Sequence, residues 1–581
     1  MKSIFSDLGP LSAFPDGELV LRKDEAGRRY ACVRQGDAVH AVDDRCPHQG
    51  YPLSQGCLKD GVLTCEWHNW KFDMKTGENQ FGGEPVRRYP IKIEDGRVHL
   101  DRAVDRGAEA RRLTASLRQA LARDEAPRAL REGLRLGDLG ISDTEGGLGR
   151  LSLGFELLAL DGAERAEYGF DHGLALLADL TSWVERGWVG GEEAFVLAAR
   201  ALAEPSRNLG PRGEPSPGAA GNARASLART TDLDAVDPAR VSTALAAERR
   251  EEAEALVRSV AEARGPEGAL AALLPFVTRH LYDYGHGAIF LAKGLELARR
   301  FPSASVELAA SVTLMLAWAT AETSLPPFTA TREAIAQASE MTLPDGPGAP
   351  LADRPAYEAA VLASEREALK ATLAALAAGV PPVTLLRAVA HAAAVRLRRF
   401  DTAWERRLDA EVGVLDVSHT VTFTEAAIAL ATSPQASRRD GARLAVIAAG
   451  FVGKIRHGDA AEPPAATVAS GTFAEAVAAR DVGRALAIAA SLDPAGRRAA
   501  YEEVAPFAAF DAVVQPIFYA HTVKTTEALR RLEEGDAEAD GAYVEALAAF
   551  LAPRRPENTA RRTAAIARKF LEDGKPPAGL Y

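Results

Sequence analysis

RCPHQGYPLSQGCLKDGVLTCEWHNWKFD, residues 45–73, is the stretch on which the reading of this chain turns. It holds Cys46-x-His48, then sixteen residues, then Cys65-x-x-His68. Two thiolates and two imidazoles thus come from two neighbouring loops. Such a set suits a structural zinc ion. It also suits a [2Fe-2S] cluster with one iron held by two Cys and the other by two His. The spacing within each half is unlike that of most zinc fingers and favours the cluster. Pro47 and Gly50 tighten the first loop, and Trp70, Phe72 and the turn Thr76-Gly77 follow the second.

This arrangement resembles the Rieske family pattern C-x-H-x(16–17)-C-x-x-H over about the first hundred residues. The resemblance implies a small antiparallel β fold and Cys46, His48, Cys65 and His68 as cluster ligands. Rieske proteins of respiratory complexes carry an extra Cys after each ligand loop, and the two form a disulfide. Here Tyr51 follows Gly50, and Asn69 and Trp70 follow His68. The site is therefore similar to the ferredoxin or ring-hydroxylating-oxygenase type. Cys32 and Cys57 are expected to be buried small apolar residues.

The chain has 581 residues, too many for one core, so about two to four domains are expected. A net charge of −11 argues against nucleic acid or an anionic membrane as partner. Only four Cys occur, two of them assigned to the cluster, which suggests a reducing compartment. The start, MKSIFSDLGPLSAF, lacks a basic region followed by a long apolar run, so no signal peptide is expected. The longest apolar run, Leu308 to Thr320, is too short to span a bilayer. A cytoplasmic protein is the expectation.

Alternating segments at Glu18–Arg22, Tyr30–Arg34 and Ala38–Val42 predict strands, and Val86 to Leu100 predicts two more around Asp95-Gly96. After Asp101 alanine and leucine dominate at helical spacing. The predicted organisation is an all-β domain over 1–103, a helical linker over 104–150 and an all-α domain over 151–581. Pro/Gly-rich breaks at Glu204–Ala219, Leu343–Pro355 and Gly458–Gly471 are read as surface loops. Neither a dinucleotide fingerprint nor a Walker loop follows a strand.

Five histidines stand in apolar helical contexts: His172, His286, His391, His419 and His521. A lone His on an apolar helix is usually a core residue, but five together point to a shared metal site. His419 and His521 share the pattern His-Thr-Val-x-x-Thr-Glu-Ala, which places Glu425 and Glu527 six residues beyond. Asp283 and Asp416 each precede a histidine by three residues, the spacing at which a carboxylate orients a ligand imidazole. Lys524 lies three residues after His521, and a buried lysine can lose its proton and become a metal-binding carbamate. His280 and His457 sit beside arginines and are read as flanking residues.

The segments DHGLALLADL, GHGAIFLAKGLEL, AHAAAVRLRRF and AHTVKTTEALRR also resemble, in that order, the questin oxidase-like family of all-helical oxygenases. That resemblance implies a non-haem iron held mainly by histidines with a modified lysine. It points to His172, His286, His391, His521 and Lys524, and it leaves open whether His419 or His521 is the ligand. Asp283-x-x-His286 begins the ligand pattern of ring-hydroxylating oxygenases, but Gly287 to Lys293 holds no second His.

The expected function is a Rieske-coupled non-haem iron oxygenase. An external NAD(P)H-dependent reductase would reduce the cluster, and a mononuclear iron in the helices would use O2 to oxidise an organic substrate, an aromatic one being the candidate. His286, His419, Glu425 and Glu527 are the candidate catalytic residues. Manganese or zinc is the alternative metal, and homo-oligomers are compatible with this reading. The competing reading is a Rieske ferredoxin tethered to a helical scaffold that docks a partner oxygenase and holds no second metal.

Overall fold

The computed structural model describes residues 5–103, 105–140, 147–165, 168–206, 238–318, 326–344, 346–410, 413–456, 458–460, 464–555 and 559–573. The chain divides into two compact units: 1–120 with 125–142, and 121–124 with 143–581.

The first unit opens with β1 (Phe5–Pro10), β2 (Leu19–Lys23), β3 (Arg29–Gln35) and β4 (Ala38–Asp43). Next come β5 (Cys57–Lys59), β6 (Val62–Thr64), β7 (Lys71–Asp73) and β8 (Asn79–Phe81). It closes with β9 (Arg88–Tyr89), β10 (Ile91–Glu94) and β11 (Arg97–Asp101). The strands form three antiparallel sheets, ordered β1-β11-β10, β2-β3-β4-β9 and β5-β6-β7-β8. Asp95 and Gly96 join β10 to β11 with φ of 50° and 69°, the left-handed pair that a two-residue hairpin turn requires. The period-2 alternation has a direct consequence in the core. Ala31 and Val33 face one apolar cluster with Phe72 and Leu63, while Tyr30 and Cys32 face another with Phe14 and Leu100. Cys32 is buried as expected, but Cys57 is exposed, because it stands on the outward side of the short β5.

Helices α1 (Arg106–Ala122) and α2 (Ala126–Asp138) lie in the stretch expected to be a helical linker. All of α2 and most of α1 fall in the first unit. A buried polar seam ties them together. The Ser116 hydroxyl donates to Glu132 at 2.6 Å, and Arg128 donates to Ser116 at 2.9 Å and to Gln119 at 2.8 Å. Glu84, fully buried, ties them to the sheets by accepting from Arg131 and, at 3.0 Å, from Arg135. A buried carboxylate is tolerated only where such donors compensate its lost hydration.

The elements of the second unit are all helices among the described residues, apart from one isolated β-bridge. Four helices form a closed ring at its centre: His172–Glu185, Tyr282–Arg300, Val414–Ala431 and Pro516–Gly535. The first packs on the second and fourth, and the third packs on the same two. Val414–Ala431 alone is long and apolar enough to cross a membrane among the described residues, and 72% of it is buried inside the unit. Where described, the expected break at 343–355 is a non-helical connection up to Asp353, and that at 458–471 is likewise non-helical. The break at 204–219 lies outside the described residues from 207 on, as does His457.

Replacing Glu84 by Ala leaves Arg131 and Arg135 without their shared acceptor. The expected loss is about 2 kcal/mol, allowing for the partial exposure of both arginines. Urea unfolding followed at the visible absorption of the cluster domain should show a lower midpoint, whereas Glu94→Ala on the surface should leave it unchanged.

Candidate metal centres

The two ligand loops of the first unit are built alike. In each, the Cys N–H donates to the carbonyl five residues on: Cys46 to Tyr51 and Cys65 to Trp70, both at 2.8 Å. In each, the residue four positions on donates back to the Cys carbonyl, from Gly50 at 2.8 Å and from Asn69 at 3.1 Å. Both of those residues are left-handed, with φ of 80° at Gly50 and 58° at Asn69. Gly and Asn are the residues that take this conformation at least cost. This closure turns both Cys inward, leaving Cys46 3% and Cys65 1% exposed.

Burial pushes the Cys46 thiol up to about 11, partly offset by the N–H groups of His48 and Gln49. The His48 and His68 rings lie 4.5 Å apart, and Trp70 stacks on His48 at 4.7 Å with 12° between planes. The His48 Nδ1 atom is buried and has no hydrogen-bond partner. A buried, unpaired ring nitrogen beside two inward thiols is costly unless a metal group takes it up. The donor set therefore fits the [2Fe-2S] centre. His68 stays exposed, beside Trp67, which is also exposed.

In the second unit each helix of the ring contributes one histidine to a single point. His286 Nε2 lies 3.1 Å from His172 Nε2 and 3.0 Å from His419 Nε2, and His419 Nε2 lies 3.2 Å from His521 Nε2. The candidate ligand atoms of all four fall within 4.8 Å of one another. The outer nitrogens are tied back. His419 Nδ1 donates to the Leu415 carbonyl and His521 Nδ1 to the Ile517 carbonyl, both at 2.6 Å. His286 Nδ1 meets Asp283 at 3.0 Å.

A carbonyl only accepts, so Nδ1 of His419 and of His521 carries the proton. Burial above all, and then the charge of Lys524, hold His172, His419 and His521 well below the usual imidazole range, so they are neutral. Burial lowers His286 as well, against the pull of Asp283. Neutral rings protonated at Nδ1 present bare lone pairs at Nε2, and two such acceptors 3.2 Å apart repel unless a cation lies between them. Nitrogens about 2.1 Å from one metal lie about 3.0 Å apart at right angles and about 3.4 Å apart at the tetrahedral angle. The three spacings of 3.0, 3.1 and 3.2 Å match, and the donor set suits iron, manganese or zinc.

Residues 7–89 match the Rieske [2Fe-2S] domain. The chain belongs to that family through this stretch. It is 37% identical over 97 residues to the anthranilate 1,2-dioxygenase ferredoxin subunit of Burkholderia cepacia, covering 16% of this chain and 88% of the relative. It is 36% identical over 88 residues to the ferredoxin component of the alkene monooxygenase system of Xanthobacter autotrophicus, covering 14% and 69%. It is 34% identical over 94 residues to the 4beta-methylsterol monooxygenase of Methylococcus capsulatus, covering 14% of this chain but only 23% of that enzyme. The likeness is thus to the Rieske domain, and it leaves the helical unit to be read from its own residues.

Of the five helical histidines, His391 is not brought to the four-histidine point. Its Nδ1 meets Glu358 at 2.8 Å and its Nε2 meets Asp540 at 3.1 Å, so carboxylates occupy both nitrogens. Asp416 does not orient His419; its carboxylate accepts from the Gly413 N–H at 2.8 Å and caps the helix. His280 is not a free flanking residue, for its ring lies 4.4 Å from Phe276 and burial lowers its pKa to about 4.

Glu527 is unsuited to give a proton. It accepts from Trp183 at 2.9 Å, from Arg530 at 2.7 and 2.8 Å and from Arg531 at 2.8 Å. Burial raises its pKa, but these cations outweigh that and hold it below the usual carboxylate range. Glu425 meets the same Arg531 at 3.3 Å. Glu425 thus contacts the Pro516–Gly535 helix through Arg531, and Glu527 contacts the His172–Glu185 helix through Trp183.

Lys524 is fully buried, its Nζ has no hydrogen-bond partner, and burial lowers its pKa to about 7. A signal that sequence reading passed over is Gly285, in the run Asp283-Tyr284-Gly285 with φ of 41°, 56° and 85°. Three left-handed residues in succession are costly and mark a site held by its surroundings. A Cβ on Gly285 would stand 2.3 Å from the Phe423 ring.

Gly285→Ala should therefore lower stability by about 2 kcal/mol and displace His286. The expected result is a lower thermal midpoint together with loss of metal from the helical unit, the Rieske spectrum being kept. A second expectation concerns His391, whose pKa is raised, by the Glu358 hydrogen bond first. A raised imidazole contributes stability that is complete below its unfolded value of about 6.5 and fades as pH rises through its folded value. His391→Gln should thus lower the thermal midpoint clearly at pH about 5.5 and much less at pH about 9.

Proposed function

We propose that this chain is a two-centre oxidoreductase. Its Rieske domain accepts electrons from an external NAD(P)H-dependent reductase, and the four-histidine point of its helical unit holds a non-haem iron for O2-dependent oxidation of an organic substrate. The observation that carries this reading is the opposed Nε2 pair of His419 and His521, 3.2 Å apart with both Nδ1 protons committed to carbonyls. The ferredoxin components of oxygenase systems among the relatives support the electron-transfer half.

Bound there, iron would supply one-electron chemistry with oxygen. The chain's own residues do the rest. His172, His286, His419 and His521 hold the metal, and Asp283 and the carbonyls of Leu415 and Ile517 orient the rings. Lys524, in accord with the questin oxidase-like resemblance, is the candidate for a further ligand after modification. Its neutral Nζ attacks carbon dioxide, a C–N bond forms and one proton leaves, giving a carbamate oxygen donor.

His172 is the one member of the four that is only half-buried. A cavity of about 290 Å³ opens at it, walled by Gly173, Ala201, Pro516, Ile517 and Ala520 with Asp171 at its edge. Apolar walls of this kind favour an apolar substrate body.

The test is metal content. Anaerobically purified protein should hold two irons with two acid-labile sulfides plus one further metal per chain. A His286→Ala, His521→Ala double variant should keep the iron, sulfide and spectrum of the Rieske centre and lose the further metal. Two irons and no other metal in both proteins would sink the oxygenase reading in favour of a tethered ferredoxin.

A further inference from the structure

The first unit contains a second concavity, of about 680 Å³, against the loop that carries His48. Its floor is Cys46, Pro47, His48, Gln49 and Gly50. Helices α1 and α2 supply the opposite wall through Arg112, Leu113, Arg131, Arg135, Asp138 and Leu139. His48 is half-buried, under the Trp70 ring as well, while His68 is exposed. The two imidazoles therefore stand in different surroundings, and His48 borders this cavity.

The charge of the wall is uneven. Six arginines line it, namely Arg28, Arg45, Arg87, Arg112, Arg131 and Arg135, against the carboxylates of Asp43, Glu109 and Asp138. Counting Glu84, buried behind Arg131 and Arg135, positive groups still exceed negative ones by two. Arg112 is paired with Glu109 at 2.8 Å, so it is already satisfied. Arg28, Arg45 and Arg87 form no ion pair among the described residues, and Arg87 only lies over the Tyr89 ring at 4.7 Å. The Tyr89 hydroxyl donates to Asp43 at 2.6 Å, and Arg87 and Arg45 act on that carboxylate by charge alone, without a direct pair. Between these cations the wall is apolar, with Pro47, Pro85, Val86, Leu113 and Leu139. Arginines around an apolar slot recognise a planar acid by its carboxylate and by its ring together.

We propose that this cavity binds a small organic carboxylate with an apolar, ring-sized body, and that its occupancy tunes the Rieske centre through His48. The carboxylate is taken by Arg28, Arg45 and Arg87, and the body lies against Pro47 and Leu113. Reduction adds one electron to the group held by His48. A bound anion beside that ligand disfavours the added charge, so occupancy lowers the midpoint potential. The exposed His68 is left free for the electron donor.

The test uses the full holoprotein at constant ionic strength, since salt would screen a merely diffuse effect. The midpoint potential is titrated by the visible circular dichroism of the cluster against benzoate, with inorganic phosphate and cyclohexanol as comparisons. A saturable fall with benzoate, absent with cyclohexanol, weak with phosphate and lost in R28Q/R87Q with an unaltered cluster spectrum, supports the site. Should R28Q/R87Q fail to assemble its cluster, Arg28→Glu alone must raise the benzoate concentration for half-effect at least tenfold. No saturable shift, an equal shift in the variants, or phosphate matching benzoate would overturn the assignment. A shift produced by polyglutamate and not by benzoate would overturn it too, in favour of an acidic protein surface docking there.

Discussion

An imidazole whose Nδ1–H is committed to a carbonyl can only accept at Nε2, and this constraint governs the centre of the helical unit. Two histidines so committed, His419 and His521, face each other 3.2 Å apart, and two more close the group. Four helices are arranged so that this happens at one point. The near-repeat His-Thr-Val-x-x-Thr-Glu-Ala acquires a physical meaning from it. In both copies the ring is anchored one turn back at 2.6 Å, and the hydroxyl of the next residue donates to a carbonyl three residues back. In both, the glutamate at the far end reaches Arg531. The copies diverge at Thr422 and Lys524, and the lysine is the one that is buried without a partner.

Around that point lies a second layer of ion pairs. Lys293 meets Asp179 at 2.7 Å, both side chains being nearly or fully buried, and Arg531 joins Glu296, Glu425 and Glu527. Buried ion pairs add little net stability, since desolvation offsets their attraction. Their geometric demand is strict, however: each must keep its partner or leave a charge uncompensated. Such a layer holds helices in register around a site where ring positions matter to a few tenths of an ångström.

The Rieske unit solves the same problem differently. Its ligands sit on two short loops closed by identical pairs of backbone bonds, so the geometry is local and the strands need only hold the loops face to face. What is particular to this chain is the α1–α2 hairpin. Glu84 anchors it, and it makes the surroundings of His48 unlike those of His68.

The sequence by itself determined the Rieske centre, because all four ligands fall within twenty-three residues whose spacing is set by loop closure. It determined the β-to-α change after Asp101, since side-chain period follows directly from backbone geometry. It also singled out the apolar helices bearing histidines. Tertiary structure alone decided which histidines meet. His391 stands in the same apolar helical context as His521, but the carboxylates that claim it, Glu358 and Asp540, lie 33 and 149 residues away. Spacing likewise made Asp283 and Asp416 equivalent. Both lie in the first turn of a helix, yet the fold sends one to a ring and the other to the Gly413 N–H as a cap. Helical periodicity reports which face of a helix is apolar; which faces converge depends on packing between segments hundreds of residues apart.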